Sequence, residues 1–105
     1  MEINLSGHRA LITGGSRGLG RAMAESFADA GADVAVIARD PEALADTQVA
    51  LQRARPSGKY LAISADVGDV NEVTRAHSEV TSFFGPVDIL VNNAGTSNAK
   101  PFLEV

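Results

Sequence analysis

Residues 13–20 read Thr-Gly-Gly-Ser-Arg-Gly-Leu-Gly, and this stretch decides the fold because it joins an apolar run to a helix-forming one. The apolar run is Ala10-Leu11-Ile12, and the helix-forming stretch begins at Arg21. A strand that ends in glycines and opens into a helix leaves the first backbone N–H groups of that helix without partners. These groups point at one spot, where the helix dipole also favours an anion. The sequence therefore predicts a phosphate-binding turn over residues 13–20, called the glycine turn below.

Composition limits both the size of the protein and its partners. A chain of 105 residues with 45% hydrophobic content can form one compact domain with a buried core. The formal net charge of −4, without a basic run, argues against nucleic acid or an anionic membrane as a partner. The absence of cysteine excludes disulfides and thiolate chemistry. The first residues do not resemble a signal peptide, and no apolar run approaches the ~20 residues of a membrane span, so a cytoplasmic location is expected.

Short apolar stretches alternate with helical patterns along the whole chain. The predicted strands are 9–13, 33–38, 60–64 and 87–92. The predicted helices are 19–30, a second from Pro41 to just before Pro56, and a third from Asp69 or Asn71 to Gly85. This alternation implies parallel strands joined by right-handed crossovers, and the usual doubly wound order places the fourth strand beside the first. The predicted fold is an α/β, Rossmann-like, doubly wound parallel sheet, partial, with four strands in the order 3-2-1-4 and three helices.

The ligand crevice of such a sheet lies at the carboxyl ends of the first and fourth strands. The glycine turn follows the first strand, and Asn92-Asn93-Ala94-Gly95 follows the fourth. Thr13-Gly14-x-x-x-Gly18-x-Gly20, Asp66-Val67 and the run from Asp88 to Gly95 together resemble the amino-terminal half of a short-chain dehydrogenase/reductase. The resemblance covers essentially the whole chain.

The glycine turn is predicted to hold the pyrophosphate of a dinucleotide. Gly14 and Gly18 make room for it, and Gly20 lets the helix lie close on the sheet. A plain tight turn is the alternative interpretation of these glycines. By resemblance, Thr13 ties the turn to the Asn-Ala-Gly segment. The predicted cofactor-binding residues in and beside the turn are Gly14, Gly15, Ser16, Arg17, Gly18, Leu19 and Gly20.

Two further segments take their expected roles from the resemblance. It implies that Asp66 accepts a hydrogen bond from the adenine amino group and that the backbone of Val67 meets the ring. A helix cap or a turn acid is the alternative for Asp66. Asn92 is expected to brace the sheet, with an Asx-type turn as the alternative for the asparagines. The residues that line the ribose on the nicotinamide side under the resemblance are Asn93, Ala94 and Gly95.

The end of the second strand indicates which dinucleotide binds. An enzyme that uses NAD usually places a carboxylate there for the ribose 2′-OH, whereas this chain has Ala38. Arg39 follows, and Arg17 lies in the glycine turn, so two guanidinium groups can converge on a 2′-phosphate. NADP(H) is therefore the predicted cofactor. The alternative is that Arg39 is merely solvated or pairs with Asp40, which is expected to cap the second helix.

No residue of the chain is predicted to be catalytic or to bind a metal. Tyr60 lacks a lysine four residues on, and His8 and His77 fit surface or packing roles. Glu72 and Glu79 fit a solvated helix face. On the first helix, a stripe of Met23, Phe27 and Ala30 is expected to face the sheet.

The family's catalytic serine and Tyr-x-x-x-Lys motif normally follow the Asn-Asn-Ala-Gly turn. Residues 1–105 are therefore expected to be the cofactor-binding half of an NADP(H)-dependent oxidoreductase, truncated before its catalytic half and inactive alone. An apolar, unprotected edge at the fourth strand also favours a longer protein. By resemblance the full-length form would be a homo-oligomer. The alternative is a non-catalytic NADP(H)- or nucleotide-binding module.

Overall fold

The structure is a computed structural model that describes residues 4–14 and 18–93. Its elements in chain order are β1 (Arg9–Thr13), α1 (Gly18–Asp29), β2 (Asp33–Ala38), α2 (Pro41–Ala54), β3 (Tyr60–Ser64), α3 (Val70–Phe84) and β4 (Ile89–Asn92). The first three strands have the bounds predicted from the sequence. The fourth begins at Ile89 rather than at Val87, and α1 begins and ends one residue earlier than predicted.

The four strands form one parallel sheet in the order β3-β2-β1-β4, as predicted. Thr13, the last residue of β1, lies opposite Ile37 of β2 and Asn92 of β4. Ala38 of β2 lies opposite Ser64 of β3. The carboxyl ends of all four strands therefore meet along one edge of the sheet, where the segments that follow them can share a ligand.

Both faces of the sheet are apolar, and the central strands β1 and β2 are buried beneath helices on both faces, whereas β4 is half-buried. Neighbouring residues of a strand point to opposite faces, so Ile12 packs in the cluster beneath α1 and α2, whereas Leu11 packs in the cluster beneath α3. Both side chains are almost fully buried. This two-sided burial explains why the strands read as continuous apolar runs rather than as alternating ones.

The predicted contact face of α1 is only partly right. Met23 and Phe27 are partly buried against the core, but the fully buried positions are Gly20, Ala24 and Ala28. These small residues are spaced four apart and form a stripe along the helix. A stripe without bulky side chains lets the helix backbone lie close to the sheet, which positions the amino end of α1 beside the end of β1.

Short polar side chains cap α2 and α3 as the sequence predicts. The Asp40 carboxylate accepts hydrogen bonds from the backbone amides of Glu42 at 3.0 Å and Ala43 at 3.4 Å. Asp69 caps α3 in the same way and accepts from the amide of Asn71 at 2.9 Å. The Asp40 carboxylate is thus engaged with the helix that follows it.

Candidate functional site

Three segments converge at the carboxyl edge of the sheet between β1 and β4. Gly20 in the first turn of α1 lies against Gly14, which follows β1, and against Asn93, which follows β4. A methyl group added at Gly20 would collide with the carbonyl oxygen of Gly14 and would lie 2.6 Å from Nδ2 of Asn93. Only a glycine fits between these groups, so the role that the sequence analysis assigns to Gly20 is structurally required.

Two other glycines of the turn are required by backbone conformation. Gly14 has φ 72° and Gly18 has φ 53°, a region that residues with a Cβ rarely adopt. No atom of residues 4–14 and 18–93 lies within 4 Å of the position that a Cβ of Gly18 would occupy. Leu19, next to it, is 68% exposed, so it faces solvent at the amino end of the helix. Three predicted residues, Gly15, Ser16 and Arg17, lie outside the described part of the chain, as do Ala94 and Gly95.

Thr13 ties the end of β1 to the end of β4, as predicted. Its buried hydroxyl donates to Oδ1 of Asn92 at 3.0 Å. The backbone amide of Asn93 donates to Thr13, 3.1 Å from Oγ1 and 3.2 Å from the carbonyl oxygen. Asn92 therefore braces the sheet through its side chain, while the backbone of Asn93 is fixed where the crevice begins.

Removing the Thr13 hydroxyl should loosen this junction. We expect Thr13→Val, which keeps the shape of the side chain, to lower the free energy of unfolding by about 0.5–1.5 kcal/mol, since it removes the side-chain hydrogen bonds that join the ends of β1 and β4. Urea unfolding measures the change. The control is Thr81→Val at an exposed position of α3, where a shift within about 0.5 kcal/mol is expected. Equal losses in the two variants would contradict the proposed brace.

At the end of β2, the Arg39 side chain is exposed, while a hydrogen bond holds its own backbone in place. Ser64 Oγ donates to the carbonyl oxygen of Arg39 at 3.1 Å. Among residues 4–14 and 18–93, no carboxylate forms an ion pair with the Arg39 guanidinium. The alternative in which Arg39 pairs with Asp40 is therefore not what the structure shows. The exposed side chain agrees with the other alternative, a solvated Arg39, and its role toward a 2′-phosphate stays a prediction.

At the end of β3, Asp66 closes a tight turn over residues 66–69, called the Asp66 turn below. Its Oδ1 accepts from the amide of Gly68 at 2.8 Å, and its carbonyl oxygen accepts from the amide of Asp69 at 3.0 Å. The turn-acid interpretation of Asp66 is therefore confirmed. The bond from Gly68 occupies Oδ1 of Asp66, and this arrangement is compatible with a ligand at Oδ2. Val67 is partly buried against the core beneath α3.

The interpretation of Glu72 as part of a solvated face is only partly right. Its side chain is 42% exposed, but its Oε1 also accepts a hydrogen bond of 2.9 Å from the backbone amide of Asp66. The spacing Asp69-x-x-Glu72 is that of a capping box, in which the acid three residues after the cap reaches back to a backbone amide. That pattern is a sequence signal for a glutamate that turns back toward the start of its helix, although the partner of Glu72 is Asp66 and not the cap Asp69.

The remaining titratable candidates lie away from this edge. His8 Nδ1 is 2.7 Å from Oδ2 of Asp88, at the amino ends of β1 and β4. The amide of Arg9, which donates to Asp88 at 2.7 Å, and His8 together hold the pKa of Asp88 below its ordinary value. Tyr60 is buried, and its hydroxyl donates to the carbonyl oxygen of Arg55 at 2.8 Å. Burial raises the pKa of Tyr60, which fits a structural role.

Residues 4–14 and 18–93 contain no group of histidine and acidic side chains that could hold a metal ion. Within the same ranges, no helix is both long and apolar enough to cross a bilayer.

The architecture is a four-stranded, Rossmann-like parallel sheet with a glycine turn at its switch point. The family model for the short chain dehydrogenases matches residues 8–105. The chain belongs to that family.

Individual relatives agree with this family. The rhamnolipids biosynthesis 3-oxoacyl-[acyl-carrier-protein] reductase of Pseudomonas aeruginosa is 44% identical over 94 residues, which cover 90% of this chain and 36% of the relative. Human 15-hydroxyprostaglandin dehydrogenase [NAD(+)] is 39% identical over 98 residues, 93% of this chain and 37% of the relative. The structure of L-sorbose reductase from Gluconobacter frateurii, complexed with NADPH and L-sorbose, matches with a TM-score of 0.85 and 38% identity. That match covers 100% of this chain and 40% of the reductase.

The chain spans only part of the proteins that it matches. The alignments cover 32%, 36% and 33% of the first three curated relatives. The family model spans residues 8–105, which include the whole sheet from β1 to β4.

Proposed function

We propose that residues 1–105 are the cofactor-binding half of an NADP(H)-dependent oxidoreductase, which reduces carbonyls or oxidises alcohols by hydride transfer. The observation that carries this proposal is the close contact of Gly20 with Gly14 and Asn93 between the ends of β1 and β4. Ligands of doubly wound sheets bind in the crevice at this switch point. The amino end of α1 opens into the crevice, where unpartnered amides and the helix dipole favour a pyrophosphate.

The proposed contacts follow the three loops along the carboxyl edge. The glycine turn holds the pyrophosphate, the Asp66 turn holds the adenine, and the segment after β4 holds the ribose on the nicotinamide side. The residues proposed for these contacts are Gly14, Gly15, Ser16, Arg17, Gly18, Leu19, Gly20, Arg39, Asp66, Val67, Asn93, Ala94 and Gly95.

The preference for NADP(H) over NAD(H) rests on Arg39. A carboxylate at the end of β2 would receive the 2′-OH of NAD(H), but this position is Ala38. Asp40, the nearest acid, caps α2 through its side chain. The exposed Arg39, together with Arg17, can therefore present forked donors to a 2′-phosphate. The L-sorbose reductase with the matching fold is complexed with NADPH, which supports the assignment, although the relative from human is named as an NAD(+) enzyme.

The proposal assigns no catalytic residue to these 105 residues. The chain covers about a third of its curated relatives, so the proposal places the serine and the Tyr-x-x-x-Lys motif in a longer polypeptide. In the same proposal that longer protein is a cytoplasmic homo-oligomer.

Binding and turnover test the proposal separately. Residues 1–105 should bind NADPH in isothermal titration calorimetry and should not oxidise it with any member of a carbonyl panel. A polypeptide extended along the same reading frame should oxidise NADPH with at least one carbonyl. If the short chain binds NADPH and the extended one never turns over, the function is that of a non-catalytic binding module. If neither binds NADPH, the proposal fails.

A further inference from the structure

Glu72 connects α3 to the end of β3 in an unusual way. In a capping box, the acid at this position accepts from the amide of the capping residue, which here is Asp69. The Glu72 carboxylate instead accepts from the amide of Asp66, six residues earlier, at 2.9 Å. We propose that Glu72 is a positioning residue that orients the Asp66 turn toward the adenine end of the dinucleotide. This inference rests on the proposed function.

The bond to Glu72 differs in kind from the other bonds that close the Asp66 turn. The bond from Gly68 to Oδ1 of Asp66 and the bond from Asp69 to the Asp66 carbonyl both lie within residues 66–69. They fix the shape of the turn, and Asp69, its last residue, joins it to α3 as the helix cap. The bond from the Asp66 amide to Glu72 adds a second tie, between the first residue of the turn and the first turn of α3.

The sheet does not supply this anchor. The last sheet-like bond after β3 runs from the amide of Ala65 to the carbonyl oxygen of Ala38, at 2.9 Å. Asp66 is the first residue beyond that bond, and its amide is partly buried. Glu72 supplies the acceptor at the point where the chain leaves the sheet. Glu72 therefore fixes the backbone of Asp66, from which the carboxylate projects.

Arg75 holds the Glu72 carboxylate on the side of the turn. Arg75 Nη2 lies 3.9 Å from Oε1 of Glu72 and also donates to the carbonyl oxygen of Ser64 at 3.2 Å. Glu79 pairs with the same guanidinium through Nη1 at 3.1 Å, but its carboxylate makes no hydrogen bond to residues 66–69 among the described contacts. Glu79 thus offers a matched control with the same charge, helix and arginine partner.

Three variants separate orientation of the turn from general stability. Glu72→Ala removes the acceptor of the bond from the Asp66 amide. Glu72→Asp keeps the negative charge on a side chain that is one methylene shorter. Glu72→Gln keeps a side-chain oxygen within reach of the Asp66 amide. Adenosine 2′,5′-bisphosphate serves as a probe of the adenine end and reduced nicotinamide mononucleotide as a probe of the other end. Calorimetry gives the affinity of each, and thermal unfolding gives the stability of each variant.

We expect Glu72→Ala and Glu72→Asp to bind adenosine 2′,5′-bisphosphate about tenfold more weakly, because one hydrogen bond to a charged group is misdirected. Glu72→Gln should restore the affinity to within about twofold of the parent, and Glu79→Ala should retain it. Affinity for reduced nicotinamide mononucleotide should be unchanged in all variants. Glu72→Asp keeps the test valid if Glu72→Ala does not fold.

Parent-like affinity for the bisphosphate in Glu72→Asp and Glu72→Ala would overturn the inference while leaving the proposed function intact. An equal loss in Glu79→Ala, or an equal loss for both probes, would also overturn it, since either points to general destabilisation. If the parent chain binds neither the bisphosphate nor NADPH, the proposed function itself fails.

Discussion

Gly20→Ala is expected to weaken dinucleotide binding at least a hundredfold and to destabilise the fold, although alanine is the better helix former. A Gly-to-Ala change inside a helix ordinarily stabilises it by about 0.5–1 kcal/mol. Here the added methyl group would collide with the carbonyl oxygen of Gly14 and would lie 2.6 Å from the side chain of Asn93. Backbone cannot yield as a flexible side chain does, so α1 must move away from the glycine turn.

The size of the stability loss in Gly20→Ala follows from the added methyl group, which overpacks the contact between α1 and Gly14. We expect a loss of about 1–3 kcal/mol in the free energy of unfolding. We also expect at least a hundredfold weaker binding of NADPH, since the amides at the start of α1 no longer point at one spot. Ser26→Ala, on the exposed side of the same helix, is the control and should leave both properties close to those of the parent. A Gly20→Ala protein that is more stable and binds NADPH normally would refute the close contact.

Arg39→Asp is expected to reverse the choice of cofactor. The variant loses a forked donor to the 2′-phosphate and puts a repelling charge in its place, so NADPH should bind about a hundredfold more weakly. NADH should bind at least as well as it does to the parent, because the new carboxylate can receive the 2′-OH. Stability should change little, since Arg39 is exposed and forms no ion pair with any described carboxylate.

Arg53→Asp controls for the change in net charge. Arg53 is also exposed, but it lies in the last turn of α2 rather than at the carboxyl edge of the sheet. Calorimetric titrations of both variants with NADPH and NADH give the comparison. If Arg53→Asp weakens NADPH binding as much as Arg39→Asp does, the effect is one of overall charge. If Arg39→Asp binds NADPH as tightly as the parent, Arg39 does not contact the 2′-phosphate.

The strands and their order could be predicted because their physical causes are local and repeated. Stretches such as Asp33–Ala38 are mostly apolar, contain several β-branched residues and have the length of a strand. They alternate with capped helices. Strands that alternate with helices can form only a few topologies, because the crossovers must be right-handed. A glycine turn after the first strand is typical of the doubly wound order among them. Asp40 and Asp69 could be predicted as caps because an aspartate before a helical pattern has a specific role there.

Two features could not be derived in the same way. Hydrophobicity predicts a contact stripe of Met23, Phe27 and Ala30 on α1, whereas the fully buried positions include the small residues Ala24 and Ala28, which let the helix lie close to the sheet. The role of Glu72 depends on the path of the Asp66 turn through space, which residue types alone do not determine. The roles of Gly15, Ser16, Arg17, Ala94 and Gly95 stay predictions, since these residues lie outside the described ranges.

Binding of the two dinucleotides to the unmodified 105-residue chain tests the central claim most directly. Isothermal titration calorimetry should show one NADPH bound per chain, and NADH should bind at least about tenfold more weakly, the difference expected from one charged hydrogen bond to the 2′-phosphate. Equal or tighter binding of NADH would contradict the assignment of Arg39. Absence of binding for both dinucleotides would contradict the cofactor site between β1 and β4.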